Sequence, residues 1–203
     1  MNNAANVTAA KPKTGGALYV AEYSDTVLAA LKTAGVLVPI EGEDGTYTYA
    51  VNPAAALPNS FKCLGYISDA GFTMSQSRES SSVKAWGGDT VLNTQTGYSE
   101  SAKYSLIEAL NPDVLKQVYG EDNVNAGDSV ITINTSSDEL PVKTYVVDMV
   151  MKGNRAKRVI VPCGQVTAVS DTTYDDSNAV GFETTLAITP DSYGNYHYEG
   201  ITA

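Results

Sequence analysis

Histidine is almost missing from this 203-residue chain: His197 is the only one. A Ser-His-Asp or Cys-His mechanism would have to run through it. Its setting, a Tyr- and Gly-rich stretch after Pro190, reads as a mobile surface tail, so no catalytic role is expected. Cysteine is scarce as well, with Cys63 and Cys163 each in a predicted strand. Such a pair reads as buried thiols, with a bridge left open. Cys63 has Lys62 as its sole basic neighbour, short of the electropositive setting that a reactive thiol needs. Positive charge is in deficit, 13 Lys and Arg against 23 Asp and Glu, for a net charge of -10. A protein of that sign gains nothing by displacing counterions from DNA phosphates. It can still face DNA without holding it. Long apolar runs are missing too. Val36–Ile40 is far too short to span a bilayer, and Lys11 and Lys13 precede only Ala17–Ala21 before Glu22. The expectation is a soluble, cytoplasmically made protein with no leader.

Recognisable ligand motifs are lacking. Glu41-Gly42-Glu43-Asp44-Gly45 and Asp175-Asp176 do not follow the calcium-loop spacing and read as solvated turns. Gly15-Gly16 and Gly87-Gly88 lack the context of a phosphate-binding loop. No cofactor or metal is expected.

What the sequence does hold is strand. Apolar residues make up 43% of it, and Thr, Tyr and Val recur. Residues 1–16 show no period and read as a flexible arm. Ala17–Ala21 reads as a first short strand. Ser24 or Asp25 caps a helix over Thr26–Ala34 that buries Val27, Leu28 and Leu31 and stops at Gly35. Val36–Ile40 and Thr46–Val51 pair as a hairpin, so residues 22–60 read as an insertion or extension.

The stretch Phe61–Gly120 organises the rest. It reads as a hairpin (Phe61–Ser68 with Phe72–Gln76 about Asp69-Ala70-Gly71), a long flexible loop Ser77–Asp89, and a strand. That strand sets Tyr98, Ala102, Tyr104 and Leu106 against Ser99, Ser101, Lys103 and Ser105. Asn111-Pro112-Asp113 then starts a short helix that Gly120 ends. Lys143–Met151, a turn at Gly153-Asn154, Arg158–Val161, then Gln165–Val169 after Pro162 and Gly164, and Phe182–Ile188 add further strands. About eight antiparallel strands with one or two short helices amount to a mainly β fold, a β-sandwich or barrel with a short flanking helix. Residues 17–190 form that domain, and 191–203 read as a C-terminal tail.

Two features rise above background. Lys152, Arg155, Lys157 and Arg158 crowd a hairpin tip of an acidic protein. They are either a solvated turn or a contact with an acidic patch on another copy, or with DNA. The loop Ser77–Asp89 carries Arg78, Glu79, Lys84 and the single tryptophan, Trp86. A long loop in a compact domain is functional or disordered. A tryptophan on it either anchors an interface or tucks onto its own core.

Leu64-Gly65-Tyr66-Ile67-Ser68-Asp69-Ala70-Gly71, Lys84-Ala85-Trp86-Gly87-Gly88-Asp89 and the run Leu106–Leu115 followed by Val118-Tyr119-Gly120 carry a resemblance. Together they resemble the major tail (tail tube) proteins of long-tailed, non-contractile phages, most closely over Phe61–Val124 and more loosely over Val142–Pro190. The resemblance implies a structural virion protein, not an enzyme. Six subunits would form a ring, and rings would stack into a tube, assembled in the host cytoplasm. Its partners would be further copies, a tape-measure protein, and the terminator and tip proteins. DNA would later pass through the lumen without specific binding. It also implies similarity to the tube of type VI secretion. Arg78, Glu79, Lys84, Trp86, Lys152, Arg155, Lys157 and Arg158 are the expected subunit or ring contacts. The competing readings are a β-sandwich binding or decoration module at a virion or cell surface and, with one histidine against it, a β-sandwich hydrolase.

Overall fold

A computed structural model describes residues 4–13, 16–42 and 47–202. The acidic turn expected at 41–45 and the glycine pair at 15–16 lie partly outside them. The fold is mainly β and antiparallel, consistent with a β-sandwich carrying a short helix on its flank.

Its centre is the hairpin of β10 (Lys143–Met151) and β11 (Arg155–Val169). The turn between them places Gly153 at φ 78° and Asn154 at φ 58°, the left-handed region that Gly and Asn tolerate best. β10 is flanked by β2 (Leu18–Glu22) and, further along the same edge, by β1 (Lys11–Pro12). The far side of β11 is shared by β12 (Phe182–Thr189) and β13 (Tyr198–Ile201). Next to β12 come β7 (Thr90–Leu106) and β6 (Thr73–Lys84). At the opposite edge β5 (Lys62–Cys63) pairs with β2. From there the chain crosses to β7, where Ile67 bridges Leu106. Segment 62–68 thereby ties the two sides of the sheet together.

The curled sheet encloses one core, built on Leu18, Tyr104, Leu106, Tyr145, Val161 and Leu186. α2 (Pro112–Tyr119) lies against it with Val114, Leu115 and Val118 buried. Its start is fixed by Asn111, whose side chain accepts the Asp113 N–H, and its end by Gly120. A second core lies behind β10 and β11, where Val146 and Ile160 point the other way. It is covered by α1 (Asp25–Thr33), capped by Ser24 through the Val27 N–H, and by the hairpin β3 (Leu37–Glu41)–β4 (Tyr47–Val51). Residues 22–60 thus roof the back of the sheet. A further small hairpin, β8 (Val124–Ala126) with β9 (Ile131–Ile133), follows α2.

Several expectations change. Phe61–Ser68 and Phe72–Gln76 do not pair with each other, because 62–68 is consumed in joining β2 to β7. Asp69-Ala70-Gly71 turns the chain into β6 instead, with the Gly71 N–H donating to Ser68 O at 3.0 Å. Ser77–Asp89 is not a flexible loop but the outer half of a two-stranded ribbon, in register from Thr73–Lys103 to Lys84–Thr90. Residues 191–203 do not hang free, since Tyr198–Ile201 is a strand of the main sheet. Part of the expected flexible arm 1–16 is likewise held, Lys11 and Pro12 pairing with Val150 and Met149.

Burial raises the Tyr104 and Tyr145 phenols above the ordinary value of 10.0, and burial with the Asp191 contact raises Tyr198. Their folded forms therefore stay protonated where an unfolded chain would ionise. Above pH 10 the unfolded state binds fewer protons, so stability falls as pH rises. The slope is about 1.4 kcal/mol per pH unit for each fully buried phenol. Denaturant midpoints measured between pH 9 and 11 should fall with pH, and Tyr145→Phe should flatten that fall.

Candidate functional site

The most unusual feature is the ribbon. Beyond Ser77 on β6 and Tyr98 on β7, both of its faces are open to solvent. With a rise of about 3.3 Å per residue it projects roughly 25 Å from the body. Its side chains are mainly Ser, Thr, Asn and Gln until the tip, where Val83, Val91, Leu92 and Trp86 are all exposed. Trp86 is fully exposed, at 107% relative accessibility, so it does not tuck onto its own core. The tip closes through backbone bonds between Ala85, Gly88 and Asp89. Lys84 sits beside this apolar group and Glu79 halfway down the ribbon, both exposed. Arg78 is nearer the body, 4.5 Å over the Tyr98 ring and 3.2 Å from Gln95 Oε1.

His197 is not a surface residue of a loose tail. It lies at the root of the ribbon, with Nδ1 2.7 Å from Glu100 Oε2. The buried Glu100 carboxylate also accepts from Tyr98 Oη and from Gln76 Nε2 at 3.1 Å. Tyr196 meets the Tyr98 ring edge-on at 4.9 Å. These contacts fasten the segment before β13 to the base of the arm. Sequence spacing gave no hint of this, because Glu100 and His197 are 97 residues apart.

The basic cluster divides. Lys152 and Arg155 are exposed at the β10–β11 turn. β11 and β7 both run antiparallel to β12, so this turn and the ribbon tip leave the sheet at the same end. Lys157 is half-buried and pairs with Glu199 at 2.9 Å. Arg158 cannot be a subunit contact, since it is only 1% exposed. It faces Asp148 directly across the strand pair, at 2.6 Å and 2.7 Å, and also donates to Ala55 O at 2.8 Å. The sequence grouped Arg158 with its neighbours by charge, but alternate strand residues face opposite ways. Arg158 points into the second core and clamps the segment 52–55 against the sheet.

Both cysteines are free thiols, Cys163 buried and Cys63 half-buried. Burial raises the Cys163 thiol above its usual range. Among the described residues no three His, Cys, Asp or Glu side chains gather in a metal-binding group. No helix there is long and apolar enough to cross a membrane. Comparison with protein-family models and with curated proteins finds no match.

A groove opens on the opposite side of the sheet junction, beside segment 62–72. It encloses about 760 Å³ and is walled by Pro12, Ala17, Cys63, Ile67, Phe72 and Met149. Tyr66 and Glu108 also line it. Glu108 is held in place by accepting the Tyr66 N–H at 2.8 Å and Asn111 Nδ2 at 3.0 Å.

Removing one member of a buried ion pair strands the other. Arg158→Ala or Asp148→Ala should therefore destabilise the subunit by about 3–5 kcal/mol in chemical denaturation. The double variant Arg158→Met/Asp148→Leu should recover much of that loss. Lys152→Glu and Arg155→Glu should leave the midpoint nearly unchanged.

Proposed function

We propose that this chain is a structural subunit that polymerises with copies of itself into a hollow tube. The reading is that of the tail tubes of long non-contractile phages, with stacked six-membered rings and a lumen that conducts DNA. The observation that carries it is the projecting ribbon. A two-stranded hairpin alone is marginal in water. This one stands clear of its own core, keeps its edges open and ends in exposed Trp86, Val83, Val91 and Leu92. Such a device acts by contacting another molecule, and a second subunit supplies both the cover for its tip and the pairing for its edges.

Charge supports the same reading. A net charge of -10 keeps a conduit from trapping the phosphates that move through it. The exposed cations Lys152 and Arg155, at the arm's end of the sheet, suit contacts between subunits rather than a lumen lining. Arg78, Glu79, Lys84 and Trp86 belong to the same contact. The tape-measure, terminator and tip proteins remain part of this proposal, as does assembly in a host cytoplasm before incorporation in a virion. A surface-bound decoration module is the competing reading.

Electron microscopy of the concentrated protein should show tubes with six-fold end views. Replacing Glu79–Gly97 by a short Gly-containing turn should leave a folded subunit that forms none. Monodisperse monomers of the intact chain at all concentrations would favour the decoration module.

A further inference from the structure

The ribbon tip needs a receptor, and the chain carries a matching one. We infer that the groove beside segment 62–72 receives the Trp86 tip of a second copy. The inference rests on the tube reading and names the surface through which one subunit would hold the next.

The fit is argued from size, polarity and charge. The groove, at about 760 Å³, is walled largely by apolar and small groups, with exposed Tyr66 among them. A buried tryptophan removes roughly 150–250 Å² from water, and the neighbouring Val83, Val91 and Leu92 extend that apolar contact. The tip brings Lys84, and the groove presents Glu108 and Asp69 to meet it. Glu108 is already fixed by two hydrogen bonds and so costs little further ordering when a cation arrives.

The geometry excludes self-docking. Ile67 bridges Leu106 at the inner end of β7, whereas the tip lies at the other end of the same strand. Roughly 50 Å of strand separates them at about 3.3 Å per residue. The ribbon is hydrogen-bonded along that length, with register shifts only at Glu79/Ser80 and Val83/Lys84, so it cannot fold back on its own groove. A tip and a receptor at different places on one chain make a heterologous contact. Copies joined that way form rings or open filaments, unless two copies exchange tips reciprocally and close as a pair.

Cys63 in the groove wall allows a direct test. The variant Ala85→Cys/Cys163→Ser keeps Trp86 and leaves Cys63 and the new thiol as the only two. Under assembling conditions a short bismaleimide should join residue 85 of one copy to Cys63 of another. The result should be a ladder on denaturing gels that Cys63→Ser abolishes. Trp86→Ala should raise the concentration needed for assembly roughly thirty-fold, the effect of losing one interface hot spot. Tubes without a Cys63-dependent link would overturn the groove and leave the tube standing. Links through Cys63 in material that forms no tube would uphold the groove and overturn the tube. If the ladder appears only after residues 1–10 are deleted, the chain's own N-terminal segment fills the groove and the inference fails. Monomers with no link refute both.

Discussion

The structure depends on a strand pair that is covered on both faces. β10 and β11 send Tyr145, Val147, Val159 and Val161 into one core and Val146 and Ile160 into another. Four strands pair along the edges of this unit, and α1, α2 and the β3–β4 hairpin cover its faces. Asp148 and Arg158, opposite one another in the pair, interrupt the apolar surface with a charge couple. An ion pair so buried adds little net stability over apolar residues of the same volume. What it adds is direction. The guanidinium's remaining donors reach only to the carbonyls of Asn52 and Ala55, so the back layer has one way to sit.

Local chemistry in the sequence was a good guide wherever an element's ends and faces are decided by its own residues. Ser24 and Gly35 bounded α1, Asn111-Pro112 and Gly120 bounded α2, and alternation picked the buried face of β7 at Ala102, Tyr104 and Leu106. It misled where a partner far along the chain decides the outcome. Ser77–Lys84 is all exposed and, apart from Val83, polar, and nothing in its composition separates a ribbon from a loop. Pairing with Thr90–Ser99 settles the matter, and pairing is a property of two segments. Arg158 and His197 were misjudged for the same reason. Each is explained by a carboxylate whose position only the folded sheet defines.

Of the residues the sequence singled out, those at the ribbon tip and the β10–β11 turn are exposed in the fold. Sequence reasoning missed the groove entirely. That surface draws on residues from Ala10 to Met149, contributed by separate strands and turns with no common spacing. The visible cue was indirect: Tyr66 is a large aromatic side chain left in solvent beside the groove.

The two parts of the sheet also differ in how far the chain must travel to make them. β6 and β7 meet through a short turn, whereas β2 must wait for β10, synthesised more than a hundred residues later. Local pairs close quickly and distant ones slowly. The ribbon's pairing is therefore local in sequence, whereas the edge of the body closes across a long stretch of chain. The ribbon's hydroxyl-rich strands, with apolar side chains gathered at the far tip, leave little apolar surface along its open length to stick to other chains while the body is still forming.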